Sequence, residues 1–349
     1  MASGTMKAVC IRRYGGLDAL EYGDYPRPGP TGRQLLVRVH AASVNPRDWL
    51  LREGRYVFRF AVRMPAILGS DFSGVVAECG PDAKLFREGD AVFGMQTAFG
   101  NMGAYADYIA VDERSVANKP GTISHGQAAA VPCAGLTAWQ AFTRDSRVRE
   151  GSRVTVIGAS GGVGSYAVQL AKVLGAAVTG VTSGPNEPLV RGLGADETVD
   201  YRAQHFAASV RGQDVVVDTI GRESLASCAP ALTADGVYIP TIPSAATAAQ
   251  GLAAAARRLV RGGRGRRARV VLCRADGRDL ARLAVLLEDG RLISVVDSVY
   301  PLADTAAAHA RSRTFRTRGK LVLEVVPGAA GPITLEDAPT CSVSSTAGS

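Results

Sequence analysis

The chain has 349 residues, enough for two domains with separate cores. Its 46% hydrophobic and 21% charged residues describe a globular protein, and no apolar run approaches the length that spans a bilayer. The six scattered cysteines form no close pair, which speaks against a disulfide framework or a zinc knuckle, and the N-terminal "MASGTMKAVCIRRYGG" carries no apolar core of a signal peptide. A cytoplasmic location without a membrane partner is the expectation.

Taken in chain order, the first part reads as β-rich. "QLLVRVHAASV", "FSGVVAECG", "GDAVFG" and "AYADYIAV" are short runs of Val, Ile and Tyr separated by Gly and Pro, a spacing that predicts a small barrel or sandwich. From Gly126 the rhythm changes. "RVTVI" reads as a buried strand, "GVGSYAVQLAKVLG" as a helix, "AAVTGVTS" as a strand, "NEPLVRGLG" as a helix and "ETVDY" as a short strand, with "DVVVDTIG" and "GVYIPTI" continuing the series. Strands and helices alternating at this spacing predict βαβ units and a parallel sheet. "RDLARLAVLLEDG" places Leu280, Leu283, Ala284 and Leu287 on one helical face. "GKLVLEVV" is a strand expected to return to the first domain, and the small polar residues after Pro327 predict disorder.

"VTVIGASGGVGSYAVQLAK", Val154–Lys172, spaces Gly158, Gly161 and Gly164 as GxxGxxG, with Gly162 added, between a strand and a helix. Glycine there permits a sharp turn, lets backbone N–H groups of Ser160, Gly161, Gly162 and Val163 approach a pyrophosphate, and lets the helix lie close to the sheet. The helix N-terminus adds its unpaired N–H groups and positive dipole end. The next strand ends in Thr182 and Ser183, where an NAD enzyme places a carboxylate for the ribose hydroxyls. A 2′-phosphate would meet no negative charge and Ser183 could donate to it, so the expected cofactor is NADPH.

The net charge of +8 is concentrated in "ARRLVRGGRGRRAR", which holds seven arginines between Arg257 and Arg269. It reads as a solvated loop or as a docking patch for an acidic carrier protein. No aromatic residue interleaves with the arginines, so nucleic acid is not an expected partner.

In "SVNPRDW", "LGSDFSGVVAECG", "EGDAVFG", "VPCAGLTAW", "GASGGVGSYAVQLAK", "LGADETVDY", "DVVVDTIG" and "RGKLVLEV", in that order, the chain resembles the zinc-free quinone oxidoreductase and enoyl reductase branch of the medium-chain dehydrogenase/reductase superfamily. The resemblance spans Met6 to Val326. It implies an α/β fold with a GroES-like β-rich catalytic domain at 1–125, completed by 291–327, and a Rossmann doubly wound parallel-sheet domain at 126–290, leaving 328–349 as a disordered tail. It implies that Asn45, Thr137 and Lys320 approach the nicotinamide end and that Ser183 and Tyr201 approach the adenosine phosphate. Asn186 stands where relatives often carry a cation, with Arg202 nearby to compensate. It also implies a homodimer.

The same resemblance puts Asn45, Ser70 and Cys133 at the positions where zinc-dependent relatives bind their catalytic metal. One soft ligand cannot hold zinc, so no metal is expected, and Cys133 reads as a small packing residue. Without a Lewis acid, hydride delivery suits an acceptor that already delocalises negative charge, namely a quinone or an α,β-unsaturated carbonyl. Tyr56 has the spacing of the proton donor in enoyl thioester reductases, and Asp48 reads as an organiser of the Asn45 loop. Three functions stay open: a zinc-independent NADPH-dependent reductase of quinones or enones, an enoyl-thioester reductase acting on a carrier-bound chain, and a non-catalytic NADPH-binding protein of the zeta-crystallin type.

Overall fold

The computed structural model describes residues 4–96, 103–242, 244–260 and 263–331. They form two compact units. One runs to Leu136 and takes in Cys273–Glu288 and the stretch from Ser294; the other runs from Thr137 to Leu272 and takes in Asp289–Ile293.

The first unit opens with strands β1 (Thr5–Ile11), β2 (Glu21–Pro26), β3 (Gln34–Val44), β4 (Ala66–Ile67), β5 (Asp71–Cys79), β6 (Ala91–Met95), β7 (Tyr108–Asp112) and β8 (Val116–Asn118). The strand β1 lies between β2 and β4 in an antiparallel sheet. The long β3 pairs antiparallel with both β5 and β7, and two irregularities in its β5 register bend it. Leu35, Val37 and Val39 alternate into the main core with Phe72, Val92 and Tyr105.

Two short helices of this unit are set by their first residues. In α1 (Pro46–Arg52), the Asp48 side chain caps the Asn45 N–H while the Asp48 N–H bonds the Asn45 carbonyl, and Pro46, whose missing N–H costs nothing there, occupies the first turn. In α2 (His125–Ala129), Ser124 and Gln127 form a reciprocal cap. Ala129 and Ala130 pack with Ala41 and Val322, so this segment shares the core of the first unit rather than beginning the second. The change of rhythm at Gly126 marks the end of the strands, not the end of the core. The chain leaves the first unit at Leu136, within α3 (Pro132–Gln140).

The second unit contains β9 (Arg153–Ile157), α4 (Gly162–Val173), β10 (Ala177–Thr182), α5 (Glu187–Gly192), β11 (Glu197–Asp200), β12 (Gln213–Asp218), α6 (Leu225–Cys228), β13 (Leu232–Pro240), α7 (Ala245–Val260) and β14 (Arg267–Ala268). Among the described residues the strand order is β11-β10-β9-β12-β13-β14, and every pairing is parallel. This is the doubly wound Rossmann order, whose switch point lies between β9 and β12. Val154, Val156, Val215, Val216 and Val217 are buried, as expected for strands covered on both faces.

The chain then returns. The helix α8 (Gly277–Glu288) buries Leu280, Leu283, Leu286 and Leu287, while Ala284 is half-buried. It lies on the β8 side of the first unit, where a Cβ on Gly277 would stand 2.4 Å from the Val116 carbonyl oxygen. The sequence assigned this helix to residues 126–290; its amphipathic face is legible, but the core that accepts that face is not. After β15 (Val296–Pro301) and α9 (Thr305–Arg313), β16 (Lys320–Glu324) runs parallel to β15 and antiparallel to β3. The expected disorder after Pro327 is corrected over Gly328–Gly331. Ala330 is buried, donates its N–H to Glu324 Oε1 (3.0 Å) and accepts from Ser124 Oγ (2.6 Å). Residues 332–349 lie outside the described residues.

Candidate active site

In the second unit, register places the turn after β9 at the level where β10 and β12 also end: Ile157 faces Val181 on one side and Asp218 on the other. Gly158 adopts φ +77°, and a Cβ there would meet Thr219 Oγ1 at 2.6 Å. A Cβ on Gly164 would stand 2.0 Å from the Gly158 carbonyl oxygen. These two glycines are therefore demanded by the fold itself. Gly161 is different: its added Cβ would have its nearest neighbour at 3.3 Å, and the residue caps α4 in an extended conformation with its N–H on the Gly158 carbonyl (3.0 Å). The N–H groups of Gly162, Val163 and Gly164 open the helix without intrahelical partners, and the first turn holds no acidic residue.

One rim of this cradle is a polar cluster. Thr182 Oγ1 donates to Ser160 Oγ (3.0 Å), and the Asn186 amide reaches both Ser160 Oγ and Ser183 Oγ (3.2 Å each). Asn186, which departs from the cation of relatives, thus joins Ser160 to Ser183. The Tyr201 N–H bonds the Thr182 carbonyl (3.0 Å), its ring is 58% exposed, and the Arg202 guanidinium lies 6.0 Å from the ring centre.

Sequence reasoning missed Asp200. A Cβ on Gly184 would stand 2.9 Å from Asp200 Oδ2, so this carboxylate lies beside the Ser183–Gly184 turn, while its other oxygen accepts from the Arg202 N–H (2.8 Å). The signal was sought at the end of β10, whereas the acid arrives from β11 through the pairing of Thr182 with Asp200. Asp218, fully buried, accepts from the N–H groups of Ile220, Gly221 and Glu223 and from the Tyr238 hydroxyl, and so shapes the loop after β12. Thr137 is buried in α3.

In the first unit, a buried polar cluster gathers residues that are distant in sequence. Asp71 is its centre. Its Oδ2 accepts from the Asn45 amide (3.0 Å), Ser43 Oγ (3.2 Å) and the Cys133 N–H (3.2 Å), and its Oδ1 from Ser70 Oγ (2.9 Å). The Lys320 ammonium donates to Asn45 Oδ1 (2.6 Å) and the Val44 carbonyl (3.0 Å), and stands 3.7 Å from Asp71. Asn45 is held further by its N–H on Asp48 Oδ2 (2.8 Å), to which the Tyr105 hydroxyl also donates (2.8 Å). Burial raises the Asp48 carboxyl to about 6 against the opposing pull of Arg47.

Tyr56 reaches this region because Gly54, at φ +69°, ends α1 and turns the chain back so that the Tyr56 N–H meets the Leu50 carbonyl (3.0 Å). The phenol is hydrogen-bonded by Arg47, yet burial dominates and pushes its pKa up. Arg47 itself is pulled down by burial, but the charges of Cys133, Asp48 and Asp71 outweigh that and hold it above its ordinary value. The Arg47 Nε has no hydrogen-bond partner among the described residues. Neither Arg47 nor Asp71 was singled out by sequence, although both lie in quoted motifs. Trp49 packs edge-on against Phe315 and donates to Ser312 Oγ (3.1 Å), a core role. The His40 and His125 rings meet at a 45° tilt, 4.3 Å between centres. Among the described residues no group of three or more His, Cys, Asp or Glu is placed to hold a metal ion.

Of the arginine-rich segment, Arg266 is committed to the carbonyls of Leu232 and Thr233 (3.1 Å each), and Arg267 and Arg269 line a recess of about 680 Å³ with Arg144, Arg147 and Arg149. The side chains of Arg257 and Arg258, and all of Arg261, lie outside the described residues.

Comparison with known proteins agrees with this architecture. Residues 31–121 match the family model for the alcohol dehydrogenase GroES-like domain, and residues 193–323 match that for zinc-binding dehydrogenases. The chain is 32% identical over 338 residues to the chloroplastic quinone-oxidoreductase QR1 of Triphysaria versicolor, covering 93% of this chain and 100% of that one. It is 29% identical over 365 residues to the human mitochondrial NAD(P)H oxidoreductase RTN4IP1, covering 93% and 90%. The solved quinone oxidoreductase of Coxiella burnetii superposes with a TM-score of 0.85 at 30% identity, covering 92% of this chain and 100% of that one.

Proposed function

The chain belongs to the quinone oxidoreductase branch of the medium-chain dehydrogenase/reductase superfamily, and from that premise we propose that it reduces a quinone or an α,β-unsaturated carbonyl compound with NADPH and without a catalytic metal. The observation that carries the reading is the Lys320 ammonium on Asn45 Oδ1 (2.6 Å). Asn45, Ser70 and Cys133, the positions of the metal ligands in zinc-dependent relatives, converge around Asp71. A cation of the protein's own already stands among them. An ammonium donating to Asn45 occupies the lone pair that a metal ligand would have to offer, which does not suit zinc.

The cradle of the second unit fits a dinucleotide. Gly161 leaves its backbone accessible, the first N–H groups of α4 suit a pyrophosphate, and Ser160 and Ser183 present hydroxyls on the rim. Ser183 and Arg202 favour a 2′-phosphate, while Asp200 opposes it; the preference for NADPH rests on the absence of a carboxylate at the end of β10. When bound, the nicotinamide supplies hydride. Asn45 and Lys320 offer polar groups for orienting the reacting end, held in place by Asp71 and Asp48. Tyr56 is protonated at neutral pH as any phenol is; burial makes it a weaker acid, and Arg47 offsets this by favouring the phenolate. Tyr56 donates the proton that completes reduction of an enone at its α-carbon.

NADPH oxidation by EDTA-treated protein, with quinones, small enones and enoyl thioesters as acceptors and NADH in parallel, tests the reading. Turnover that survives EDTA and favours NADPH supports it, and the best acceptor names the substrate class. Activity lost to EDTA and restored by zinc overturns the metal-free mechanism, while tight binding without turnover on every acceptor overturns the assignment as a reductase. Tyr56→Phe is expected to lower enone turnover by about 10²-fold with the KM for NADPH unchanged, as for removal of a general acid.

A further inference from the structure

Cys133 and Cys273 are 140 residues apart in the chain, yet both lie in the first unit and their thiols meet. The Cys273 sulfur is 3.7 Å from the Cys133 carbonyl oxygen and 3.9 Å from Met95 Sδ, which brings its thiol within hydrogen-bonding reach of the Cys133 sulfur. Cys133 occupies the first turn of α3, whose nine residues run from Pro132 to Gln140, and its N–H is fixed on Asp71. The positive charges of Arg47 and Lys320 both act on its sulfur.

The cysteines differ in kind. Burial pushes the thiols of Cys10, Cys79 and Cys228 up. At Cys133 the hydrogen bond from Cys273, with help from Arg47 and Lys320, outweighs burial and the Asp71 charge and brings the thiol down. A thiol that ionises more readily than its neighbours, close to cations and with a second thiol beside it, is the arrangement of an attacking and a resolving cysteine. The attacking sulfur is held at a helix start, whereas Cys273 sits in the irregular stretch between β14 and α8.

We propose that Cys133 and Cys273 form a reversible disulfide on exposure to a hydroperoxide, making this polar cluster a site of oxidative modification. The Cys133 thiolate attacks one peroxide oxygen; an S–O bond forms, the O–O bond breaks, and the departing alkoxide or hydroxide takes up a proton. Cys273 sulfur then attacks Cys133 sulfur; the S–S bond forms, the S–O bond breaks, and hydroxide leaves with the Cys273 proton as water. Two thiols are oxidised and one hydroperoxide is reduced to an alcohol, or to water, plus water. A dithiol reductant reverses the step. The bond would leave Cys133 unable to ionise beside Lys320 and Arg47, so oxidation would alter the electrostatics of the cluster that holds Asn45. The proposal does not depend on which acceptor the protein reduces, and its readout is chemical rather than catalytic.

The test treats the whole reduced chain with hydrogen peroxide, follows free thiols with time, and maps peptides before and after dithiothreitol. The expected result is loss of two thiols per chain in one kinetic phase, a linked peptide pair containing Cys133 and Cys273, and full recovery on reduction. The rate should rise with pH about a midpoint below the ~8.5 of an ordinary cysteine. Cys273→Ser should retain Cys133 as a sulfenic acid that a dimedone probe traps, and Cys133→Ser should slow peroxide consumption by at least about 10-fold and yield neither product. A wild-type chain in which Cys133 and Cys273 keep their thiols while other cysteines react overturns the proposal. So does Cys133 driven to sulfinic acid with Cys273 still free. Both outcomes are read on the wild type, so the conclusion stands even where a variant fails to fold.

Discussion

The two polar regions of this protein are made in opposite ways. The cradle of the second unit is backbone: a turn from Gly158 to Gly161, the start of α4, and small hydroxyls on the rim. The cluster of the first unit is side chain: a buried carboxylate at Asp71 answered by Asn45, Ser43, Ser70 and Lys320 from three separate stretches of sequence. The first region is vulnerable to added volume and tolerant of charge changes around it. The second is vulnerable to any unpaired charge, because removing one partner strands the others away from water.

The largest expected effect is on the second kind. Asp71→Ala leaves Lys320 and the donors around it unanswered and should cost about 3–5 kcal/mol of stability, read as a lower urea midpoint. An unchanged midpoint would mean that the cluster is solvated in solution and would dissolve the contrast. Next comes the pH dependence. Asp48 is raised from 3.8 to about 6 by burial, so the folded state keeps its proton where the unfolded state has lost it. Its contribution is fully present below about pH 4 and is lost as pH rises through about 6, on the order of 3 kcal/mol in all. Stability curves at several pH values for wild type and Asp48→Asn should differ in slope across that window and run parallel above it.

The cradle gives the next effects. Gly164→Ala forces a methyl into the Gly158 carbonyl and should cost about 1–3 kcal/mol as well as dinucleotide affinity, whereas Gly161→Ala should spare most of the stability and weaken dinucleotide binding. Equal losses of stability in the two variants, compared by thermal unfolding and by titration, would show that the turn is one steric unit. The smallest effect concerns a single charge near the rim. Asp200→Asn should raise the preference for NADPH over NADH by about 2- to 5-fold, in keeping with a solvent-screened contact, and Ser183→Asp should move it the other way. Paired KM measurements for the two cofactors decide it.

How much of this was legible differs between the regions for the same reason. Glycine spacing between a strand and a helix announces a cradle, because every element needed lies within one βαβ unit. Asp200 was not legible, since only the pairing of β10 with β11 brings it to Ser183. In the first unit Asn45, Tyr56 and Lys320 were picked out by resemblance. Asp71, which binds Asn45 and stands close to Lys320, and Arg47, which touches Tyr56, were overlooked: a buried charge carries no periodic mark in a sequence. The disorder expected after Pro327 failed over Gly328–Gly331 for a related reason. Small polar residues predict little burial of their own, but the backbone of Ala330 finds partners in Ser124 and Glu324.

The sequence by itself determined the β-rich first part, the alternation of strands and helices from β9 to β13 and the glycine turn between β9 and α4, since hydrophobic period and glycine placement act over a few residues. The segment from Ala256 reads as a loop in sequence, whereas α7 runs to Val260. Only the tertiary structure decided which core receives α2 and α8, which acid approaches the cradle rim, and that Cys133 and Cys273 meet. Those outcomes depend on contacts across more than a hundred residues or between neighbouring strands, where no local propensity acts and the burial of whole faces selects the arrangement.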